Sequence, residues 1–201
     1  MTPLPETPGP APSEASAGAR TRILRTAYVL FTRHGVAAIG IDRIVDDAGV
    51  AKATLYRHFR SKDELVLAVL DLREELWTHA WLESEITRRG STPQERLLAV
   101  FDAFDDWFRD SSYEGCLFTS GLLESNGVSD VVESACIAKR AGIRDLLERL
   151  AAEAGLSDPE GFARQWQILM TGAIVAAVEG DLKAARRTRE MAALVLSAAT
   201  R

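Results

Sequence analysis

Cysteine is scarce in this sequence, and no apolar run is long enough to cross a membrane. The two cysteines, Cys116 and Cys136, lie far apart and form no CxxC or Cys/His pattern. We therefore expect neither a disulfide framework nor a metal site, and we expect a reducing, cytoplasmic setting. A membrane helix needs roughly 18 consecutive apolar residues. The nearest candidate, Ile168–Val178, falls short of that length and predicts a buried helix instead.

Strand and hairpin signals are also lacking, and proline is concentrated at one end. Five of the seven prolines fall within residues 1–18, among Gly, Ser, Thr and Ala. A stretch of that composition buries too little apolar surface to offset the entropy lost on ordering, so it predicts a disordered tail. Without a basic start or a long apolar run, the tail does not have the pattern of a secretory signal.

What the sequence has throughout is helical periodicity. Apolar residues recur every three or four positions, from Ile23 through Phe31 at one end to Val195 and Leu196 at the other. Ser61 and Thr92 each precede a Glu by three residues, which is the pattern of a capping box. The pattern predicts an all-α protein of about nine helices, three of them short and basic.

Charge is distributed unevenly along the chain. Residues 19–62 hold nine Lys or Arg and three acids, whereas residues 63–201 hold fifteen and twenty-four. The first segment therefore carries a net charge of +6 and the second −9, within a chain of net charge −5. A basic head on an acidic body is typical of a protein that places one end against phosphates. The alternative is chance clustering on a solvated surface.

The segment GIDRIVDDAGVAKATLYRHF (Gly40–Phe59) carries the most specific signal. Two short helical patterns meet at Gly49, where glycine permits the sharp turn that lays the second helix across the first. Val50, Leu55 and Phe59 are predicted to face a small core. A short second helix with donors near its N-terminus suits insertion into the major groove of DNA.

The longer run AGVAKATLYRHFRSKDEL resembles the signature of TetR-family transcriptional regulators, and the likeness covers about residues 20–70. It implies a helix-turn-helix DNA-binding domain at 19–65, after the tail at 1–18, and a ligand-binding and dimerisation domain at 66–201. It also implies a homodimeric repressor that a small apolar or cationic ligand releases from a palindromic operator. Gly40 and Ala51 depart from the family's usual Ser or Thr, which removes two hydroxyls that cap a helix or touch a phosphate, although glycine is an acceptable cap.

Roles for the head follow from that resemblance by matching positions. Eight residues are expected to contact DNA: a base-reading group of Lys52, Ala53, Thr54 and Arg57, and a backbone-contacting group of Arg43, Tyr56, His58 and Lys62. Arg57 is the residue type suited to guanine, and Lys62 gains from the positive end of its helix. The alternatives are an edge-base contact for Arg43, a packing role for Tyr56, and ordinary solvated positions for His58 and Lys62.

Dimerisation is predicted for the last two helices. The first of them shows two apolar stripes, one of Phe162, Trp166, Leu169, Met170, Ala173 and Ala177, the other of Ile168, Gly172, Val175 and Ala176. A helix that is apolar on both sides needs two partners, which predicts a four-helix bundle across a twofold axis. Burial within one monomer is the alternative. The predicted interface residues are Phe162, Trp166, Leu169, Ala173, Val175, Ala176, Met191 and Val195.

The ligand pocket is expected where aromatic residues are dense. The string GCLFTSGLLE (Gly115–Glu124) also resembles an element that forms part of the pocket wall in a subset of the family. The predicted pocket residues are Trp77, Trp81, Phe104, Trp107, Phe108, Cys116, Phe118, Leu122, Trp166 and Met170. Each aromatic residue taken singly fits an ordinary core equally well. Asp105, Asp106 and Glu124 are candidates to meet a cationic ligand, with a solvated face as the favoured alternative.

Three other functions are alternatives to this interpretation. An enzyme needs a nucleophile, a base and an orienting group, or a metal set. The three histidines, Ser120 and Cys116 form no such pattern and lie in no G-x-S-x-G motif, so the sequence predicts a protein that is not an enzyme. The other two keep the fold: a thiol-based redox sensor that uses Cys116 or Cys136, and an activator.

Overall fold

The computed structural model describes residues 18–111 and 113–200. Within those ranges the chain is all-α, as predicted, whereas the predicted disordered tail at 1–18 lies outside the described residues except for Gly18. The helices of the described ranges are α1 (Ala19–His34), α2 (Ile41–Ala48), α3 (Lys52–His58), α4 (62–89), α5 (Pro93–Trp107), α6 (Leu117–Ser125), α7 (Asp130–Glu153), α8 (Pro159–Val178) and α9 (Ala184–Ala199). None of these helices is long and apolar enough to span a membrane.

Helix α4 changes its winding along its length. It is α-helical over Lys62–Arg73, π-helical over Glu74–Leu82 and α-helical again over Glu83–Arg89. A π segment replaces i→i+4 hydrogen bonds by i→i+5 bonds and is most often found at functional positions. Two tryptophans that the sequence predicts as pocket residues, Trp77 and Trp81, lie in this segment.

The helix starts follow the capping signals of the sequence. Thr92 and Glu95 form a complete capping box at the start of α5, where Pro93 occupies the first turn. The hydroxyl of Ser61 accepts from the amide of Glu64, while the carboxylate of Glu64 accepts from the amide of Arg60. Gly40 and Ala51 form no side-chain cap, which agrees with the loss of hydroxyls at those positions.

The described chain forms two compact units, and their limits differ from a single division after residue 65. Unit 1 consists of the described part of residues 1–76 together with 116–139, and unit 2 consists of 77–115 and 140–200. The difference arises because α6 packs against the first part of α4. That contact joins residues distant in sequence, so periodicity along the chain gives no sign of it.

Unit 2 is held together by an aromatic core and by α9. Helix α9 packs on both α5 and α8, and its inner side is formed by small buried residues such as Ala185 and Ala192. Two ion pairs, Arg186–Asp105 and Arg189–Asp102, add contacts between α9 and α5. The small side chains permit close approach of the helices, and the two arginines form ion pairs at the periphery of the contact between α9 and α5.

Candidate DNA interface and ligand site

The position of α3 is set by a small core under it. Helix α1 packs against α2, α3 and α4, and the side chains of Ile23, Phe31, Ile44, Leu55 and Phe59 are buried with at most 1% of their surface exposed. Leu55 and Phe59 point inward as predicted: Leu55 lies within α3, and Phe59 follows its last residue, with its amide donating to the carbonyl of Leu55. Val50, also predicted to face the core, is half-buried. The opposite face of α3 is therefore left for solvent or DNA.

The turn between α2 and α3 depends on a left-handed residue. Gly49 has φ of 62° and ψ of 43°, and its amide donates to the carbonyls of Asp46 and Val45. The next amide, of Val50, donates to the carbonyl of Val45 at 3.1 Å. A residue with a Cβ pays a steric penalty in this conformation. Glycine thus ends α2 and sets the angle at which α3 leaves it.

The predicted base-reading residues lie on the outer side of α3. Lys52, Ala53 and Arg57 are exposed and Thr54 is half-buried. Of the residues predicted to contact the DNA backbone, Tyr56 is exposed and His58 is half-buried. Among the described residues, α3 therefore presents one continuous surface of donors and cations that the head core does not use.

Two of the cations predicted to contact DNA, one on α3 and one on α2, are already paired with carboxylates of α2. Lys52 Nζ lies 2.6 Å from Asp42 Oδ1, and Arg43 Nε donates to Asp47 Oδ2 at 2.7 Å. Hydrogen bonding to Asp42 raises the pKa of Lys52, and hydrogen bonding to Asp47 raises that of Arg43. Both pairs are exposed, so they exchange readily for phosphate contacts. Sequence reasoning did not identify Asp42 as a competitor for Lys52, because the pair joins two helices.

Lys62 makes a contact that the sequence did not predict. Its Nζ donates to the carbonyl of Val36 at 2.6 Å. Burial lowers the pKa of this ammonium group, while the charges of Asp63 and Glu124 oppose that change. An ammonium group has three donors, so this contact leaves donors for the predicted phosphate, but it gives Lys62 a second role within the head.

Unit 2 brings most of the predicted pocket residues together. Trp77, Trp81 and Trp107 lie with ring centroids 5.3–5.6 Å apart. Phe104 and Phe108 continue the cluster, with each ring 5.4–5.7 Å from a neighbouring ring. These separations are those of rings in direct contact. Tyr113, which sequence reasoning missed, also joins the cluster, 4.9 Å from the Trp107 ring.

Trp166 and Met170 are buried in the same unit. Trp166 is fully buried, stacked on Phe162 at 4.9 Å and packed against Phe101 at 5.4 Å. Among the described residues, no acceptor lies within hydrogen-bond distance of its indole Nε1. A buried donor without an acceptor costs free energy. The indole N–H of Trp166 is therefore a donor that can bind an acceptor within an otherwise apolar region.

The remaining predicted pocket residues belong to unit 1. Cys116 precedes the first residue of α6 and is half-buried, Phe118 is buried and Leu122 is half-buried. Cys136, the other cysteine considered as a redox centre, is fully buried. Its sulfur would lie 3.1 Å from a Cβ at Gly121, so it packs directly against α6.

The carboxylates considered for a cationic ligand all have partners. Asp105 pairs with both Arg109 and Arg186, and Asp106 pairs with Arg89 at 2.6 Å. Glu124 accepts a hydrogen bond from the amide of Ala37 at 2.7 Å. The arginines neutralise Asp105 and Asp106, and Glu124 is engaged by a backbone amide, so the three carboxylates do not form a cation-binding wall. Among the described residues, no group of three or more His, Cys, Asp or Glu is placed to hold a metal ion.

The comparisons with known proteins agree with this geometry. Residues 23–69 match the sequence model of bacterial regulatory proteins of the tetR family. A crystal structure of a TetR-family transcriptional regulator from Streptomyces coelicolor superposes with a TM-score of 0.80 at 29% identity, covering 91% of this chain and 96% of that one. The chain belongs to the TetR family of transcriptional regulators.

The sequence relatives are transcriptional regulators, and one of them is a transcriptional activator. The chain is 33% identical over 131 residues to the transcriptional activator FasR of Mycolicibacterium smegmatis, which covers 65% of this chain and 59% of FasR. It is 28% identical over 170 residues to the transcriptional regulator TtgR of Pseudomonas putida, covering 75% of this chain and 80% of TtgR. This TetR-family chain thus spans less than two thirds of FasR, although it spans most of TtgR.

The TetR-family chain has an exposed apolar face on α8 and α9. The large side chains on it are Ile168, Val175, Val178, Met191 and Leu194, each between 48% and 73% exposed. Of the predicted interface residues, Val175 and Met191 lie on this face, while Leu169, Ala176 and Val195 are half-buried.

Phe162, Trp166 and Ala173 are instead buried inside unit 2, at most 3% exposed. The aromatic stripe of α8 turns inward because it buries more apolar area than the stripe of Ile168, Gly172 and Val175. Phe162, Trp166 and Ala173 therefore leave almost no surface for a second chain. Ile168 belonged to the second stripe, so the sequence contained the signal that would have added it to the interface.

A groove of about 580 Å³ adjoins this face between α7 and α8. It is lined by Arg140, Arg144, Arg164, Gln167, Ile168, Thr171 and Gly172. Gln167 is the central polar residue: its Oε1 accepts from Arg144 at 3.0 Å and its Nε2 donates to the carbonyl of Arg140 at 2.7 Å. The groove is lined by three guanidinium groups, one of which, that of Arg164, is paired with Glu160 at 2.8 Å.

Removing the carboxylate that pairs with Lys52 should strengthen DNA binding. We expect Asp42→Asn to raise affinity for DNA about two- to fivefold at low salt, because it frees a cation and removes a repelling charge at the exposed surface. Fluorescence anisotropy at two salt concentrations measures this, and the gain should shrink at high salt. Asp145→Asn, at an exposed position in unit 2, is the control. Unchanged or weaker binding by Asp42→Asn alone would place Lys52 away from the DNA.

Proposed function

We propose that this TetR-family chain is a cytoplasmic homodimer that binds a palindromic operator through α3 of each copy. A small apolar molecule bound in unit 2 releases it. The observation that supports DNA reading most directly is the surface of α3, which is oriented by a buried core and exposes Lys52, Ala53 and Arg57. A seven-residue helix with cations at this position fits the width of the major groove.

Repression is the effect we propose, because a dimer seated on an operator that overlaps a promoter excludes polymerase. Activation is the second candidate, and the similarity to FasR, a transcriptional activator, favours it specifically. Transcription in vitro from a template carrying the bound site separates the two. Addition of the protein lowers transcript yield in the first case and raises it in the second.

Arg57 should contribute specificity and not only affinity. The bound sequence is first selected from genomic fragments with the unaltered protein. We then expect Arg57→Ala to lose about 1–3 kcal/mol of binding to that site, because an arginine that contacts guanine in the groove is worth this much. Its binding to unrelated DNA should fall much less, as fluorescence anisotropy over a salt series measures.

Arg149→Ala is the matched control for the Arg57 experiment, since Arg149 is an exposed arginine of unit 2. It should bind the selected site as the unaltered protein does. A uniform loss of binding to all sequences by Arg57→Ala would make Arg57 a phosphate contact. Absence of any sequence-selective binding by the unaltered protein would contradict the proposal as a whole.

The dimer is proposed to form through the exposed face of α8 and α9. Exposed apolar side chains on two neighbouring helices are unusual unless another surface covers them, and an isologous pairing of the two helices forms a four-helix bundle. A dimer is also what recognition of a palindromic operator requires, because two α3 helices must lie about 34 Å apart to reach successive major grooves.

Ile168→Asp should break that dimer. A charge at the centre of an apolar interface stays unpaired and desolvated, which costs several kcal/mol, so we expect a monomer at micromolar concentration. Leu123→Asp is a matched control, because Leu123 in unit 1 has the same exposed fraction of 72% as Ile168. Sedimentation velocity measures the outcome. A monomeric unaltered protein, or dissociation by Leu123→Asp instead, would refute this interface.

An apolar ligand is proposed rather than a cationic one. The aromatic cluster of unit 2 offers apolar and π surface, the orphan indole N–H of Trp166 offers one donor, and Asp105 and Asp106 are already paired with arginines. Because the rings contact one another, a ligand has to separate them. The π segment of α4, which carries Trp77 and Trp81, is the part of the helix that such a separation would move.

The four tryptophans of the chain all lie in unit 2, which provides the test. Titration of apolar compounds that carry one hydrogen-bond acceptor should quench or shift tryptophan fluorescence and release the selected DNA over the same concentration range. A coupling of about 1–3 kcal/mol corresponds to about 5- to 150-fold weaker DNA binding. Trp166→Phe, which keeps an aromatic ring but removes the donor, should weaken the binding of compounds with an acceptor more than the binding of matched hydrocarbons. Compounds that bind without changing DNA affinity would contradict the switch.

A further inference from the structure

One peptide group in the connection between α1 and α2 is held at both ends by charged side chains. The carbonyl of Val36 accepts from Lys62 Nζ at 2.6 Å, and the amide of Ala37 donates to Glu124 Oε2 at 2.7 Å. These two groups belong to the same peptide bond, whose N–H and C=O point in opposite directions. The ammonium therefore meets the negative end of the peptide dipole and the carboxylate meets the positive end.

Gly35 makes room for this arrangement. It has φ of 83° and ψ of 159°, a backbone conformation that residues other than glycine avoid. A Cβ at this position would overlap Glu124 Oε1. The glycine thus ends α1 and lets the carboxylate approach the backbone, a combination that any larger residue would prevent.

The contact joins elements that are far apart in sequence. Glu124 is 87 residues from Ala37 and lies near the end of α6, whereas Lys62 begins α4. A second hydrogen bond, from Ser129 Oγ to Asp63 Oδ2 at 2.8 Å, links the segment after α6 to the same turn of α4. All of these residues lie in unit 1, and the held peptide comes four residues before α2.

We infer that Glu124 is a positioning residue for DNA binding, which acts with Lys62 through the Val36–Ala37 peptide to fix the helix-turn-helix on α6. This rests on the proposed DNA-binding function. Charge-assisted hydrogen bonds are stronger than neutral ones, and bonds in a chain reinforce one another. Loss of either charge frees the connection that leads into α2, and the reading surface of α3 is then held less firmly.

The sign of the affinity change separates this inference from simple electrostatics. Glu124→Gln removes a negative charge, which by charge alone should strengthen binding to DNA. The inference predicts weaker binding to the selected site, by about threefold, because a neutral acceptor replaces a charged one. Glu124→Asp keeps the charge but is one methylene too short, so it should also weaken binding. Glu75→Gln, at an exposed position of the same unit, is the control that reports the charge effect alone.

A double-mutant cycle tests whether Glu124 and Lys62 act together. If they hold the same peptide, Glu124→Gln combined with Lys62→Gln should cost less than the product of the two single losses. If Lys62 contributes only a phosphate contact, the two losses multiply. Multiplying losses, together with Glu124→Asp behaving as the unaltered protein, would overturn the inference.

The hold of Lys62 and Glu124 on the Val36–Ala37 peptide is called the clamp below. Hydrogen exchange at the Ala37 amide tests this clamp without any DNA. Exchange there should be about tenfold faster in Glu124→Gln and faster still in Glu124→Asp, with the amides of α1 unchanged. Unchanged exchange at Ala37 would refute the clamp even if DNA binding falls. Faster exchange in a protein that selects no DNA sequence would leave the clamp standing and remove the DNA-binding proposal, so the two failures are distinguishable.

Discussion

Burial of a few apolar side chains beneath α3 is the constraint on which the DNA-binding surface depends. Helices of eight and seven residues, such as α2 and α3, are unstable in isolation because nucleation is costly and few hydrogen bonds follow it. They persist here because Ile44, Leu55 and Phe59 are enclosed against α1. That enclosure also fixes the rotation of α3 about its axis. The exposure of Lys52 and Arg57 is therefore a consequence of where Leu55 and Phe59 are buried.

What the sequence predicts well is what repeats within one helix or one short motif. The i, i+4 spacing of Leu55 and Phe59 identified their inward direction, and the spacing of Thr92 and Glu95 identified a capping box that the structure contains. Both apolar stripes of α8 are present in the sequence, but the sequence pattern does not predict which of them is buried within the monomer. The structure buries Phe162 and Trp166, since the larger aromatic area gains more from removal from water.

Contacts between distant segments could not be predicted, and they decide much of the local electrostatics. Asp105 and Asp106 lie in a segment of net charge −9 and were candidates to meet a cation, with a solvated face as the favoured alternative, yet both are paired with arginines from other positions. In the same acidic body, Arg140, Arg144 and Arg164 line one groove. Charge counted along a chain therefore says little about the potential at a site, where pairing within about 4 Å matters most.

Helix α6 carries residues of two proposed roles. The predicted pocket residues Phe118 and Leu122 and the positioning residue Glu124 lie on the same nine-residue helix. Because helical residues share one rigid hydrogen-bonded frame, a displacement of α6 at Phe118 also displaces Glu124. Glu124 contacts the amide that precedes α2, and α2 sets the direction of α3 through Gly49. A change felt by α6 thus has a short and specific route to the reading surface, and this route does not require bending of α4.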